Sequence, residues 1–184
     1  GFFQAGQMNR TYFLNVVGRI NPDRDLFKLL ETNEYFKGTP QSVNTVFQND
    51  FEQDTAYCST AWPSGGKATC LNGENQFFGP ITLLVTANCA PWIRVEADFL
   101  VQSREWDVWK YAQWIVQFYQ GEKAIKTNLI RIQRHLPVDQ VSTHLFFDVR
   151  VPSEPYDRCT MSIWNAESPQ TLLMDNLKVS CFED

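Results

Sequence analysis

Two carboxylates, Glu96 and Asp98, stand two residues apart in a stretch where apolar and polar residues alternate. Side chains two apart on a strand share a face, so their backbones would lie roughly 6.5 to 7 Å apart. Glycoside hydrolysis uses a pair of carboxylates across the scissile bond, and this spacing makes such an enzyme conceivable. We favour the simpler interpretation, a solvated strand face whose acids pair with cross-strand partners such as Arg131 or Arg150.

The sequence around these acids, Val95-Glu-Ala-Asp-Phe99, resembles the active strand of sandwich-fold glucanases. In that family acids recur as Glu-x-Asp-x-x-Glu or Glu-x-Asp-x-Glu. Here Leu100 and Val101 occupy the places of the third acid, and no residue matches the acid/base. A glycoside hydrolase with a concanavalin-like sandwich is therefore only an outside candidate, and we expect no catalytic residues.

Other catalytic chemistries have less support. The two histidines, His135 and His144, form no metal-ligand pair on a helix, which argues against a zinc hydrolase. The glycines before Lys67 are too few for a phosphate-binding loop and precede a strand pattern.

A ligand-binding face is better supported. Long planar polar groups recur at the outward positions of successive strand patterns, and they could gather on one sheet surface. Such groups commonly hold sugars, while an aromatic ring covers the apolar side of the sugar. The candidate ligand-binding residues are Arg94, Glu96, Gln117, Tyr119, Arg131, Gln133, Asp148 and Arg150, with Trp106, Trp109 and Trp164 as further aromatic platforms. For any one tryptophan, a place in the core or at an edge is the more common role.

The elements that would position these residues are strands. Residues 91–119 contain two alternating patterns, which we interpret as the central hairpin of a β-sandwich, with an aromatic, charged loop between them. Further strand patterns, separated by turn residues, are predicted at 45–51, 67–71, 81–86, 126–135, 144–151, 159–164 and 172–182. The predicted fold is all-β, a two-sheet antiparallel sandwich.

The first forty residues differ from the rest. Asn21 before Pro22 is a good N-cap, and apolar residues then share one helical face, which predicts a helix over residues 22–35. We therefore divide the chain into an N-terminal helical adaptor, residues 1–40, and a sandwich domain, residues 41–184.

Two short motifs carry a second resemblance. The sequences Asn49-Asp-Phe-Glu52 and Met174-Asp-Asn-Leu-Lys-Val179 resemble the opening and closing strands of galactose-binding-like β-jelly-roll domains, the fold of many bacterial carbohydrate-binding modules. The resemblance implies a jelly roll whose first and last strands lie side by side, often with a structural calcium nearby, and less directly a sugar ligand.

Asp175 gives an independent reason to consider a metal. It is in phase with Leu173, Leu177 and Val179, so simple alternation aims its carboxylate into the core, where an unpaired charge is costly. A structural calcium ion shared with Asp50 or Glu52 would satisfy it, and so would protein donors. The predicted metal ligands are Asp50, Glu52 and Asp175.

Composition limits the partners. The chain has 184 residues, a net charge of -5 and a pI near 5.1, which argues against nucleic acid and favours a neutral or mixed-charge ligand. The sequence contains no run of 18 apolar residues, so it predicts no membrane-spanning helix. The five cysteines include no CxxC pair; small buried thiols are the favoured interpretation, with one or two disulfides as the alternative.

The chain opens Gly1-Phe2-Phe3 without a methionine, which predicts that it is a piece of a larger protein. The resemblance to carbohydrate-binding modules implies that this is the C-terminal part of a bacterial protein. We therefore expect an extracytoplasmic, non-catalytic carbohydrate-binding domain, periplasmic or at the cell surface, that contacts upstream parts of its own parent protein. The alternative is a structural or protein-interaction domain without sugar binding.

Overall fold

The computed structural model of the chain describes residues 43–53, 57–85, 91–103, 105, 107–136 and 138–183. The predicted helix at 22–35, the adaptor segment 1–40 and Trp106 lie outside these residues. Within the described residues there is no helix long and apolar enough to span a membrane.

The described chain folds into ten strands and short 3-10 turns. The strands are β1 (Val43–Asn49), β2 (Ser59–Ala61), β3 (Lys67–Leu71), β4 (Phe77–Leu83), β5 (Trp92–Val101), β6 (Gln113–Gln120), β7 (Lys123–Arg131), β8 (Thr143–Arg150), β9 (Arg158–Trp164) and β10 (Leu172–Phe182). The 3-10 turns are Val108–Lys110 and Ile132–Arg134. The predictions for β3 and β10 are confirmed residue for residue, whereas β2 was missed and the pattern at 126–135 ends in a turn after Arg131.

The strands form two antiparallel sheets, which confirms the predicted sandwich. The first sheet has the order β2-β3-β10-β5-β8, and β1 also pairs with β10. The second sheet has the order β4-β9-β6-β7. Strand β3 pairs with residues 172–174 of β10, and β1 pairs with residues 177–182, so the first and last strands of the domain lie side by side.

The predicted central hairpin is wrong. Strand β5 belongs to the first sheet and β6 to the second, so the segment between them crosses the sandwich. Alternation shows that each strand has one packed face, but it does not show which strand is the neighbour. The hairpin of this region is β6 with β7, closed by Gly121 at a positive φ of 59°.

The core lies between the inward faces of the two sheets. Trp114 on β6 is fully buried, and its ring makes edge contacts with Phe99 on β5 (4.9 Å) and Phe147 on β8 (5.3 Å). Offset and edge contacts are the preferred geometry of aromatic pairs. This cluster holds the second sheet against the centre of the first, and it fixes which face of β5 and β6 points outward.

The cysteines differ from the favoured prediction. Cys58 and Cys70 form a disulfide that ties the segment before β2 to β3, and Cys181 is also disulfide-bonded. Cys159 is a buried free thiol, and burial raises its pKa to about 12. The buried-thiol interpretation was wrong for the bonded cysteines because sequence spacing does not show which strands lie together.

Candidate functional site

The predicted ligand-binding residues are divided between two outward faces. Those of β5 and β8 lie on the first sheet, and those of β6, β7 and β9 lie on the second. The expectation of one shared surface is therefore wrong. What each face can do follows from how its side chains are bonded.

On the first sheet, Arg94 and Asp148 bind each other. The Arg94 Nε lies 2.8 Å from Asp148 Oδ1, and the Arg94 Nη2 lies 2.9 Å from Asp148 Oδ2. Asp148 is fully buried, and the guanidinium of Arg94 stacks 4.1 Å from the centre of the Phe146 ring. A buried bidentate pair of this kind links β5 to β8 and satisfies both charges.

The next charges along β5 form a second network. Glu96 binds Lys178 on β10 at 3.0 Å and lies 3.5 Å from His144 Nε2, while Asp98 lies 2.9 Å from His144 Nδ1. Hydrogen bonding to His144, and secondarily the Lys178 ammonium, lowers the pKa of Glu96 to about 2. The same hydrogen bond raises the pKa of His144. The sequence suggested arginine partners for these acids, and the structure provides a lysine and a histidine.

Asp175 lies on this same outward face, opposite Asp98. The core-facing orientation expected from its phase is wrong, because the register between β10 and β5 shifts after Asp175, and Asn176 adopts a positive φ of 52° at that irregularity. Asp175 is nevertheless only 7% exposed, and its Oδ1 accepts a 2.7 Å hydrogen bond from the Asn176 backbone N–H.

The other predicted metal ligands, Asp50 and Glu52, lie close enough for their charges to act on Asp175. Burial is the main cause of the raised pKa of Asp175, and Asp98, Glu52 and Asp50 raise it further. Glu52 Oε1 accepts a 2.8 Å hydrogen bond from the Lys67 backbone N–H and so supports the turn before β3. Within the described residues, no three His, Cys, Asp or Glu side chains are grouped closely enough to hold a metal ion.

The second sheet presents a different surface. Phe77, Trp164, Gln113 and Arg131 stand in register across β4, β9, β6 and β7. This row spans three strand spacings, roughly 14 Å. The rings of Phe77 and Trp164 are nearly parallel, with an interplanar angle of 10° and centroids 6.3 Å apart, and Phe77 is 66% exposed.

Trp109 extends the row beyond β7. It lies in the 3-10 turn Val108–Lys110, whose first turn is capped by the Asp107 carboxylate (2.9 Å to the Trp109 backbone N–H). The Arg131 guanidinium lies 5.3 Å from the centre of the Trp109 ring and donates a hydrogen bond to the Val108 carbonyl. Trp109 is 75% exposed, so its ring is held in place by its neighbours but not covered.

A second polar group lies further along β6. The Tyr119 hydroxyl donates to Gln117 Oε1 (2.9 Å), and Gln117 Nε2 donates to Thr127 Oγ1 (3.2 Å). The guanidinium of Arg158 on β9 covers one face of the Tyr119 ring at 4.4 Å. Tyr119 is thus a support for Arg158 on that face, where the sequence suggested a free aromatic platform.

We define the binding face as the outward residues Phe77, Trp164, Gln113, Arg131, Gln117, Tyr119 and Arg158, together with Trp109 at its edge. The candidates from the sequence included most of these residues but not Phe77, Gln113 or Arg158. Arg158 is the first residue of β9 and lies just before the predicted strand at 159–164. Phe77 precedes the sequence Gly79-Pro80, which was read as a turn separating strands, whereas β4 runs through it with a register irregularity.

Two predicted residues lie away from both networks. Gln133 is buried in the turn after β7, where its Oε1 accepts a 2.7 Å hydrogen bond from the Ala112 backbone N–H. Arg150 is exposed at the end of β8 and lines an open groove of about 600 Å³ together with Pro91, Lys126 and Glu154. Gln133 therefore joins the loop before β6 to the end of β7.

Comparison with known proteins gives distant likenesses only. No family model matches the chain, and no curated protein matches it. Among solved structures, the chain is similar to the CBM22-1 xylan-binding domain from Paenibacillus barcinonensis, with 10% identity and a TM-score of 0.44, covering 79% of this chain and 99% of that one.

A second likeness is to the CBM22-1 and GH10 modules of a Clostridium thermocellum endo-1,4-beta-D-xylanase complexed with xylohexaose, with 10% identity and a TM-score of 0.42. It covers 76% of this chain and 29% of that one. Likenesses at these scores are too distant to assign a family or a ligand.

Proposed function

We propose that this domain binds a glycan chain across the binding face of the second sheet. The observation that carries the proposal is the row of Phe77, Trp164, Gln113 and Arg131, in which the exposed ring of Phe77 stacks on the half-buried ring of Trp164 beside polar side chains. Sugars offer apolar ring faces and hydroxyl edges, and this row offers matching aromatic faces and hydrogen-bonding groups at fixed spacing. Exposed aromatic surface of this kind is typical of interaction sites.

The first sheet supports the proposal by contrast. Its charged groups bind one another, as Arg94 binds Asp148 and Glu96 binds Lys178, so a ligand there would have to break existing ion pairs. On the second sheet the rings of Phe77 and Trp109 are exposed. A ligand could contact them without displacing a protein partner.

We further infer that the sandwich is a jelly roll. In the orders β3-β10-β5-β8 and β4-β9-β6-β7, every connection from β3 to β10 except the β6–β7 hairpin crosses between the sheets, which supports this topology. The adjacency of β1 and β10 supports it too.

We propose that binding occurs without catalysis. A general acid needs a raised pKa. The pKa of Glu96 is instead lowered to about 2, because His144 and Lys178 stabilise its charge. Hydrolysis of a polysaccharide that disappears in Glu96→Gln would contradict this.

The disulfides support an extracytoplasmic location, since disulfides persist in oxidising compartments. Contact with upstream parts of the parent protein and a calcium ion near Asp175 stay proposals.

A glycan array followed by titration calorimetry tests the binding. The variants Phe77→Ala and Trp164→Ala should each weaken binding of an array hit at least about tenfold, the effect of removing an aromatic hot spot. Val138→Ala removes an exposed apolar side chain from the loop before β8 and is the matched control. An array without a single hit would contradict the proposal and favour the structural or protein-interaction role.

A further inference from the structure

The strands of the two sheets differ in charge balance: the acids of the first sheet are matched in number by Lys67, Arg94, Arg150 and Lys178, whereas the charged residues of the second sheet are all cations. The four strands of the second sheet contain no aspartate or glutamate, and their charged residues are all cations: Lys123, Lys126, Arg131 and Arg158. Every acidic residue in a strand, Glu96, Asp98, Asp148 and Asp175, belongs to the first sheet. The strands of the second sheet are therefore net positive, although the whole chain has a net charge of -5.

Two of these cations point onto the binding face. Arg131 stands opposite Gln113 on one side of β6, and Arg158 stands opposite Tyr119 on the other side. Gln113 and Tyr119 are six positions apart on β6, a distance of roughly 20 Å along the strand. A chain lying along β6 would therefore pass both guanidinium groups.

Both guanidinium groups are positioned but not neutralised. Each lies against an aromatic ring, Arg131 against Trp109 and Arg158 against Tyr119. Within the described part of the chain, neither forms an ion pair. The nearby loop carboxylates of Asp107 and Asp157 accept hydrogen bonds from the backbone N–H groups of Trp109 and Gly121.

We propose that the glycan bound here is acidic, and that Arg131 and Arg158 bind carboxylates of its uronic acid residues. This proposal rests on the proposed function and names its ligand class. An arginine presents a planar fork of N–H donors that matches a carboxylate in a bidentate geometry, and ring stacking leaves the edge of that fork accessible. Arg131 uses one donor on the Val108 carbonyl and keeps the others for a ligand.

The composition of the whole chain favours a neutral or mixed-charge ligand, whereas the distribution of charge between the sheets supports an anionic one. Local potential governs which ligand approaches a face, because exposed charges further away than about 8 Å are screened at physiological ionic strength. The acids of the first sheet lie on the opposite side of the sandwich.

The test uses matched polysaccharides. Glucuronoxylan, polygalacturonate and alginate are each titrated beside the same polymer after chemical reduction of its carboxyl groups, at low and at high salt. At least one acidic polymer should bind at least about tenfold more tightly than its reduced counterpart at low salt, and the preference should shrink at high salt. Double-stranded DNA serves as a polyanion that is not a glycan.

Variants locate the effect. Arg131→Gln and Arg158→Gln should each weaken binding of the acidic polymer about tenfold and weaken binding of the reduced polymer much less. Arg131→Lys keeps the charge but loses the fork, so it should restore only part of the affinity. Lys67→Gln removes one positive charge from the first sheet and should have no effect. Unfolding midpoints equal to the wild type confirm that each variant is folded.

The outcomes separate the two proposals. Equal affinity for acidic and reduced polymers would overturn the acidic-glycan inference while leaving glycan binding intact. Absence of binding to every polymer would overturn the proposed function and this inference together. DNA binding as tight as that of the best acidic polymer would show a general polyanion site and would overturn the inference as well.

Discussion

Asp98 and Asp175 face each other across β5 and β10, and one residue, Asn176, binds both carboxylates. The Asn176 side-chain amide donates to Asp98 Oδ2 (2.9 Å) and reaches Asp175 Oδ2 at 3.4 Å, while its backbone N–H donates to Asp175 Oδ1. Two like charges are thus held side by side by a neutral amide. His144 adds a bond to Asp98, so Asp98 has the better compensated charge.

The first prediction concerns Asp175. Burial and its acidic neighbours raise its pKa, so the folded state disfavours the charged form, and its ionisation lowers stability as the pH rises through the folded pKa. Asp175→Asn keeps an acceptor for the Asn176 N–H without the charge. In the absence of calcium it should be at least as stable as the wild type at pH 7, and any advantage should vanish at low pH. Urea unfolding at both pH values measures this.

Two comparisons complete that experiment. Asp175→Ala removes the acceptor and should lower the free energy of unfolding by about 1 to 3 kcal/mol. If calcium binds here, chelation should lower the melting temperature of the wild type and leave that of Asp175→Asn unchanged. A variant Asp175→Asn that is clearly less stable at pH 7 without calcium would contradict the charge argument.

The second prediction is a pH window for the Glu96 and His144 contact. The raised pKa of His144 means that its contribution is fully present below about pH 6.5, its unfolded value, and is lost as the pH rises through the folded pKa. The contribution of Glu96 is present above about pH 4.5, its unfolded value, and is lost as the pH falls through about 2. The contact is therefore strongest between about pH 4.5 and 6.5.

His144→Gln should lower stability within that window by less than about 1 kcal/mol, because the side chain is 53% exposed and its charge is screened. At pH 9 the variant and the wild type should unfold at the same urea concentration. A difference that is equal at both pH values would show a packing role for His144 in place of a charge effect.

The third prediction concerns Arg94 and Asp148. Asp148→Ala leaves the Arg94 guanidinium half-buried without its bidentate partner and should lower the free energy of unfolding by about 3 to 5 kcal/mol. The double variant Arg94→Met with Asp148→Leu removes both charges and should recover much of that loss. Denaturant unfolding of the singles and the double forms a complete cycle. Additive losses would refute the coupling between the two side chains.

The strands were predictable from the sequence because apolar and polar residues alternate wherever one face of a strand packs in the core and the other faces solvent. Both β3 and β10 were bounded correctly, and the pairs of β1 with β10 followed from the two end motifs. The sheet assignment was not predictable, since β5 and β6 each alternate whether they pair with each other or face each other across the core. Only Trp114 packed against Phe99 and Phe147 shows that they face each other.

The candidate site was predictable in its residue types more than in its location. Gln117, Tyr119 and Arg131 were named from their outward positions in strand patterns and Trp164 as an aromatic platform, and all of them lie on the second sheet. Asp175 shows the limit of that method, because one irregularity at Asn176 reverses the phase of every residue beyond it. Partners across strands, such as Lys178 for Glu96, depend on register that no local pattern contains.

The central claim is that ligand binding belongs to the second sheet and not to the first. Nuclear magnetic resonance titration of the labelled domain with its best glycan tests this directly, because side-chain N–H signals of Gln113, Gln117, Trp109 and Trp164 report on one face, and those of Arg94 and Asn176 report on the other. The account predicts ligand-dependent shifts confined to the first group. Shifts concentrated on Arg94 and Asn176, with Gln117 and Trp164 unchanged, would contradict it.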